Sequence, residues 1–319
     1  MKGKIFLLCV CLLLALLCFC SCERSEETDG IKIVTTVFPQ YDFARRITEG
    51  AEVSIHMLLP AGSEAHTYDP TPADMARSAD CDLFIWVGGE SEAWAKKIIE
   101  ASGIEGERLI SLMETVPLLA AQSGHGDEHD KEHEHEHSFD PLSGAEYDEH
   151  VWTSPKNAII IVKAIRDKLC ELDEANAEIY RSNSEEYIKE LTALDEKFEA
   201  LAEVLDGGLL VFGDRFPFLY LAEAYGFNYT SPFSGCSAHT EASVAEISEV
   251  IENAEAAGTR VVFSVDFSNG KLAKSIADEV GAGEERLYSC HTLAKEDLDM
   301  GIGYVQLMER NLRAIEKAH

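Results

Sequence analysis

The sequence predicts an α/β protein with two lobes, each a mostly parallel β-sheet flanked by helices, joined by one long rigid helix. Segments rich in β-branched residues alternate with helix-like segments in both halves of the chain, which is typical of parallel sheets. Between the halves, apolar residues recur every three to four positions, as on a helix with one buried face. The 319 residues, 46% of them apolar, are enough for two domains.

The first α/β unit follows a short polar tether. We expect its helix at 71–79 to begin sharply, because Thr71 caps it and Pro72 occupies the first turn. The predicted strands of this unit are 32–37, 53–59 and 83–87, and its predicted helices are 41–48, 71–79 and 92–101.

The middle of the chain contains a break and then the connector. Residues 123–140, SGHGDEHDKEHEHEHSFD, have no apolar periodicity and predict a loop. Ser154-Pro155 begins a helix that runs to about Leu172. A second, longer helix is predicted from 173 or 174 to 205 and ends at two glycines.

The second α/β unit repeats the alternation of the first. Its predicted strands are 209–212, 227–230, 260–265 and 286–289, and its predicted helices are 216–225, 241–256, 271–280 and 298–317. The resulting domain prediction is a signal peptide at 1–22, a tether at 23–30, an N-terminal lobe at 31–153, connecting helices at 154–206 and a C-terminal lobe at 207–319.

The N-terminus predicts export. Two lysines precede an almost unbroken apolar run from Ile5 to Phe19, followed by Cys20-Ser21-Cys22 and a polar stretch, which is the layout of a secretory signal peptide. Cys22, with a small residue before it, is the predicted lipidation site, and Cys20 is the alternative. An uncleaved membrane anchor is a further alternative. Every one of these interpretations places the remaining chain outside the cytoplasmic membrane, anchored to it.

Composition excludes one class of partner. The formal net charge is −31, and such a surface repels phosphate backbones, so we expect no nucleic-acid binding. Four of the nine cysteines lie in the signal segment and Cys22 would carry lipid. Among those that remain, Cys236 and Cys290 could form a disulfide, and the sequence leaves this open.

Candidate metal ligands follow predicted strands or precede helices, where ligand sites of α/β proteins gather. His66 and His150 lie in such loops in the first unit. In the second unit, the candidates at or after strand ends are Asp214, Cys236, His239, Asp266, Cys290 and His291. Imidazole combined with a carboxylate or thiolate suits zinc.

A histidine-rich segment is the most specific compositional signal. It contains His125, His129, His133, His135 and His137, interleaved with acidic residues. Closely spaced imidazoles can gather a transition metal without a fixed fold, so we expect an auxiliary, low-affinity collector. A merely soluble charged insertion is the alternative.

Several motifs together resemble one family, the zinc and manganese solute-binding proteins of bacterial ABC transporters, which includes zinc-uptake and adhesin-type lipoproteins. The motifs are HTYDPTPADM, EHVWTSPKNA, LDEANAEIY, FPFLYLAEAYGF, SGCSAHTEAS and GYVQLMERNL, and they span nearly all of the mature chain. The histidine-rich segment lies where zinc-type members carry theirs.

The resemblance implies two similar lobes with one metal ion between them. His66 and His150 match the ligands of the first lobe. The third ligand position falls on Gly213, which has no side chain, and the fourth falls near Cys290-His291. We therefore expect Zn²⁺, or alternatively Mn²⁺, to be held by His66, His150 and His291, with Asp214 or water completing the shell.

The resemblance also implies a monomeric carrier that delivers its metal to an ABC transporter permease and its ATPase. A cell-surface adhesin is an alternative role. An enzyme is not expected, because the HExxH pattern occurs only within the predicted histidine-rich loop and not on a predicted helix, and because the sequence contains no GxSxG elbow.

Overall fold

A computed structural model describes residues 30–121, 147–233 and 242–318, except for the side chain of His66. The predicted signal peptide with Cys20 and Cys22, the histidine-rich segment, Cys236 and His239 lie outside the described residues. No helix in the described part is both long enough and apolar enough to cross a membrane.

The N-terminal half forms a four-stranded parallel sheet in the order β2-β1-β3-β4. Its strands are β1 (Ile31–Thr35), β2 (Val53–Met57), β3 (Leu83–Trp86) and β4 (Leu109–Ser111). Its helices are α1 (Phe38–Thr48), α2 (Pro72–Ala79) and α3 (Ala93–Ser102). As predicted, Thr71 caps α2: the backbone N–H of Asp74 donates to its hydroxyl.

The C-terminal half repeats this topology with the order β6-β5-β7-β8, again all parallel. Its strands are β5 (Leu209–Phe212), β6 (Asn228–Thr230), β7 (Val261–Val265) and β8 (Gly283–Leu287). Two helices, α4 (Pro155–Leu172) and α5 (Ala177–Leu205), connect the halves. The C-terminal helices are α6 (Leu219–Tyr225), α7 (Val244–Ala257), α8 (Lys271–Val280), α9 (Lys295–Asp299) and α10 (Tyr304–Glu316). The predicted two-lobed α/β fold is confirmed.

The connector α5 is 29 residues long, or about 43 Å at 1.5 Å per residue. Its buried side chains recur every three to four residues and face α4, the N-terminal α1 and the C-terminal α10. The apolar ones between Tyr180 and Leu201 belong to one continuous core that includes Ile33 of β1 and Ile315 of α10. The two lobes are therefore packed on one shared core rather than linked by a flexible segment.

A buried carboxylate joins the lobes at that core. Asp42 of α1 accepts hydrogen bonds from the Tyr187 hydroxyl (3.2 Å) and from the backbone N–H of Tyr304 (2.9 Å). It also pairs with Arg45 at 2.7 Å. Since Tyr304 is the first residue of α10, a side chain of the N-terminal lobe caps a helix of the C-terminal lobe.

The structure differs most clearly from the predicted secondary structure in three places. The final helix, expected at 298–317, is broken into α9 and α10, and Gly301 at the break has φ +72°. Strand β8 begins and ends earlier than the predicted 286–289, and its first three residues, Gly-Glu-Glu, are not typical of a strand. The edge strand β4 was not predicted at all, since it has only three residues.

Candidate metal centre

A cleft of about 560 Å³ lies at the carboxyl ends of the strands of both sheets. In each sheet the strand order changes direction between two neighbouring strands, β1 and β3 in the first sheet and β5 and β7 in the second. Open α/β sheets bind ligands at the carboxyl ends of such a pair of strands. The N-terminal lobe contributes the loop 62–65 and His150 to the lining. The C-terminal lobe contributes the ends of β5 and β7 and the segment after β8.

His150 is held firmly by its own loop. It precedes the one-turn 3₁₀ helix Val151–Thr153 and is 6% exposed. Its backbone N–H donates to Asp148 Oδ1 (2.8 Å), and its Nδ1 lies 3.2 Å from the same oxygen. A proton on Nδ1 completes that contact and leaves Nε2 as the nitrogen available to a ligand.

Electrostatics favour a cation or a proton beside His150. Burial, the largest single cause, lowers the pKa of His150, but the charges around it, with Asp148 foremost, together outweigh burial and raise the pKa above 6.5. Glu149 and Asp266 act in the same direction. The negative charges around this imidazole would equally favour a divalent metal on its other nitrogen.

His291 reaches the same place from the other lobe. Its ring centre lies 5.7 Å from that of His150, and the two rings are perpendicular. On one tetrahedral zinc, bond lengths near 2 Å would place two imidazole centres about 5 Å apart. The two predicted ligands are thus close to the separation that a shared metal requires.

Trp152 fixes both imidazoles in position. Its ring centre lies 5.6 Å from that of His150 and 5.2 Å from that of His291. The fully buried indole donates its N–H to the carbonyl of Ser289 (2.8 Å), and its own carbonyl accepts from the Tyr304 hydroxyl (2.6 Å). The wall of the cleft is therefore part of the shared core.

His66 lies in the one-turn 3₁₀ helix Ala65–Thr67, next to the lining residue Ala65. The indole N–H of Trp94 donates to the Ala65 carbonyl (3.0 Å), which fixes the turn. The same loop is tied to the other lobe, since the N–H of Gly62 donates to the Thr292 hydroxyl (3.0 Å). The backbone of His66 is therefore at the cleft, and its side chain lies outside the described part.

Asp214 also lines the cleft, and both of its carboxylate oxygens accept backbone hydrogen bonds. Oδ1 accepts from the N–H of Arg215 (2.9 Å) and Oδ2 from the N–H of Val265 (3.3 Å). Gly213, on which the family's third ligand falls, has no room for any side chain: a Cβ there would lie 2.2 Å from the Cα of Ala273. The packing of α8 against the end of β5 thus requires glycine at this position.

Asp266 follows β7 and is a site residue that the predicted ligand set omitted. It lines the cleft, and its Oδ1 accepts from the N–H of Ser289 (2.8 Å). Its Oδ2 is buried and has no hydrogen-bond partner among the described residues. Burial raises the pKa of the Asp266 carboxyl to about 6, although Ser289 and Arg286 act in the opposite direction. Its position directly after a strand was the available signal.

Cys290 is fully buried and forms no disulfide with another described cysteine, while Cys236 lies outside the described residues. Its φ of +61° places a non-glycine residue in the left-handed region, directly before His291. Phe267, directly after Asp266, has φ +62°. Strained backbone of this kind persists only where the surroundings enforce it, and it clusters at functional sites.

The described side chains alone do not complete a metal cage. Among residues 30–121, 147–233 and 242–318, with the His66 side chain left aside, no three His, Cys, Asp or Glu side chains come close enough to hold an ion. His150 and His291 supply two nitrogens, and a third donor from the loop that contains His66 and an oxygen from the C-terminal lobe would complete a tetrahedron.

Comparison with known proteins finds zinc-uptake proteins. Residues 33–318 match the model of the family described as the periplasmic zinc-uptake complex component A, ZnuA. The chain is 30% identical over 315 residues to the high-affinity zinc uptake system protein ZnuA of Bacillus subtilis, covering 98% of this chain and 96% of that protein. It is 29% identical to the zinc-binding lipoprotein AdcA of Streptococcus pneumoniae over 97% of this chain, but spans only 60% of AdcA.

A solved structure of a similar protein has the same fold. The crystal structure of the Zn(II)-bound ZnuA-like domain of Streptococcus pneumoniae AdcA superposes with a TM-score of 0.70 at 27% identity. The match covers 91% of this chain and 99% of that domain.

Proposed function

The chain belongs to the family of the zinc-uptake complex component A, and from this we propose that it is the extracytoplasmic solute-binding component of a zinc ABC importer. It captures Zn²⁺ between its lobes and delivers the ion to a membrane permease. The observation that supports this most strongly is the pair His150 and His291, one from each lobe, with ring centres 5.7 Å apart against Trp152. Manganese is the alternative cargo, but an imidazole-rich shell favours zinc.

The direct test is metal binding by the mature protein. We expect one tight Zn²⁺ per chain in competition with a chromophoric chelator, and weaker Mn²⁺ binding. Deleting the gene should stop growth in chelated medium, and added zinc should restore it. Tight binding of Mn²⁺ in preference to Zn²⁺, or no defect under zinc limitation, would contradict a zinc importer.

The proposed ligand set is His66, His150, His291 and a carboxylate of the C-terminal lobe, for which Asp214 and Asp266 are the candidates. His66 is included because its turn adjoins the cleft and its motif matches the family. Three imidazoles and one oxygen satisfy the tetrahedral preference of zinc.

Asp148 offers a test of how His150 is positioned. Replacing Asp148 with asparagine removes the charge that holds Nδ1 but keeps the side-chain size, so the zinc Kd should rise about 10–100-fold. A competition titration measures this change. Asp167→Asn, on the exposed side of α4, removes the same charge and should leave the Kd within about twofold. Equal Kd values for D148N and wild type would eliminate the positioning role.

The histidine-rich segment is proposed to be an auxiliary collector. Deleting residues 123–140 should leave the affinity of the tight site within about threefold, because every proposed ligand of that site lies outside the segment, and a preorganised site keeps its affinity when its own ligands remain. Isothermal titration should show that only the weaker binding events disappear. If the tight site is also lost on deletion, the segment contributes ligands to that site.

The remaining assignments follow from the family and from the predicted signal. We propose a monomer anchored outside the membrane by lipid on Cys22, with a permease and its ATPase as partners. A surface adhesin is the second candidate role. Loss of host-cell attachment in the deletion strain under zinc-replete conditions would favour adhesion. The protein is proposed to be non-catalytic, and zinc-dependent hydrolysis of a model ester or peptide would overturn that view.

The shared core limits how the ion is captured. Wide hinge closure would break the contacts of Asp42 with Tyr187 and Tyr304. Capture is therefore proposed to proceed by small adjustments of the loops around the cleft, with the lobes remaining packed.

A further inference from the structure

We propose that Asp266, rather than Asp214, donates the carboxylate oxygen that completes the zinc shell. This inference rests on the proposed function and assigns one ligand within it. The two carboxylates follow neighbouring parallel strands, β5 and β7, and line the same cleft. They differ in the hydrogen bonds that their carboxylate oxygens accept.

Both carboxylate oxygens of Asp214 already accept hydrogen bonds from the backbone. Its two oxygens accept the N–H groups of Arg215 and Val265, which tie the turn after β5 to the end of β7. Moving this carboxylate toward a metal would break both of these hydrogen bonds.

Within the described part of the chain, only one of the two carboxylate oxygens of Asp266 accepts a hydrogen bond. Its Oδ1 accepts the N–H of Ser289, two residues before His291, while its backbone N–H donates to the Leu287 carbonyl (2.9 Å). These two bonds fix Asp266 relative to the segment that carries His291. Its Oδ2 remains buried at the cleft without a hydrogen-bond partner in the described part of the chain.

A buried carboxylate oxygen without a partner is costly, and native proteins rarely keep one without a reason. A divalent cation in the cleft would supply the missing interaction if small loop adjustments bring Asp266 closer to the two imidazoles, because no three His, Cys, Asp or Glu side chains of the described residues are close enough without that movement. The Asp266 charge also acts on His150, which places the carboxylate within electrostatic reach of the imidazole pair. The backbone strain at Phe267 and Cys290 is adjacent to Asp266 and His291 respectively, so it falls on the two residues that the proposal assigns to the ion.

The test compares D266N and D214N in the mature protein. Asparagine keeps the shape of each side chain and its carbonyl oxygen but removes the charge. D266N should raise the zinc Kd at least about 100-fold, which is as much as or more than the loss of an outer-shell partner. It should also raise the melting temperature of the zinc-free protein, because it removes an uncompensated buried charge. D214N should instead lower that melting temperature, and it should change the Kd less than D266N does.

Spectroscopy gives a readout independent of affinity. With Co²⁺ as the probe, the intense visible bands of a tetrahedral site should shift in D266N and keep their positions in D214N. Asp299→Asn on the exposed α9 controls for the loss of one surface charge. A D266N protein that binds zinc and Co²⁺ like the wild type would overturn the assignment, most clearly if D214N loses both. If the wild type itself does not bind zinc, the proposed function fails rather than this assignment.

Discussion

Replacing His291 with alanine should raise the zinc Kd at least about 100-fold and should nearly abolish stabilisation by zinc in a thermal melt. The side chain lies against Trp152 and faces His150 across the lobes. Without this side chain, the C-terminal lobe contributes only an oxygen ligand to the site. The Kd is measured by chelator competition, and the melt is followed with and without a saturating amount of Zn²⁺.

Two further variants make this result specific. His56→Ala removes an imidazole from β2, where the ring lies 3.7 Å from Asp74 and does not line the cleft, so the Kd should stay within about twofold. His291→Asp keeps a potential ligand and should give an intermediate Kd. If H291A folds normally and binds zinc as tightly as H56A, His291 is not a ligand.

The second large effect concerns stability and pH. Glu92 is fully buried in the one-turn 3₁₀ helix Glu90–Glu92, where its Oε2 accepts the N–H of Val87 (2.8 Å). Burial raises the pKa of its carboxyl from 4.5 to about 7, and the charge of Glu149 acts in the same direction. The folded protein therefore keeps this proton at pH values where the unfolded chain has lost it.

The sign of the effect follows from proton linkage. Between pH 4.5 and about 7 the folded state binds more protons at Glu92 than the unfolded state, so the free energy of unfolding falls as pH rises. The side chain in the Glu92→Gln variant is neutral at every pH, so the free energy of unfolding of the variant does not fall for this reason. The stability of E92Q relative to wild type should therefore increase by about 2 kcal/mol between pH 5.5 and pH 8.

Urea denaturation of zinc-free protein at the two pH values measures this difference, and the other titrating groups cancel because both proteins share them. Glu100→Gln, at an exposed position of α3, is the matched control and should show no such trend. A stability difference between E92Q and wild type that does not change with pH would show that Glu92 is ionised in the folded protein.

The sequence was sufficient to predict the fold because its signals are local. Strand and helix segments are marked by periodicity, capping residues and glycines, and α4 and β5 have their predicted bounds. The break before α10 has a different origin. The N–H of Tyr304 donates to Asp42, 262 positions away, so the sequence around 298–317 contains the glycine of the break but does not reveal this long-range cap.

The candidate site was only partly predictable. His150 and His291 stand in recognisable loops, and the structure brings their rings together. The roles of Asp214 and Asp266 depend on which backbone N–H groups meet each carboxylate, and both of them follow strands, so sequence position alone could not separate them. The glycine at 213 likewise depends on a contact with Ala273, which only the packing of α8 reveals.

The core that runs from β1 through α5 to α10 also determines how the molecule folds and unfolds. A fragment holding either lobe alone would expose the apolar side of α5 to water, and so neither half is expected to be soluble and folded by itself. Both lobes should melt in a single cooperative transition. An ion bound at their junction then stabilises the whole chain at once, which would make the empty carrier the easier target for proteases.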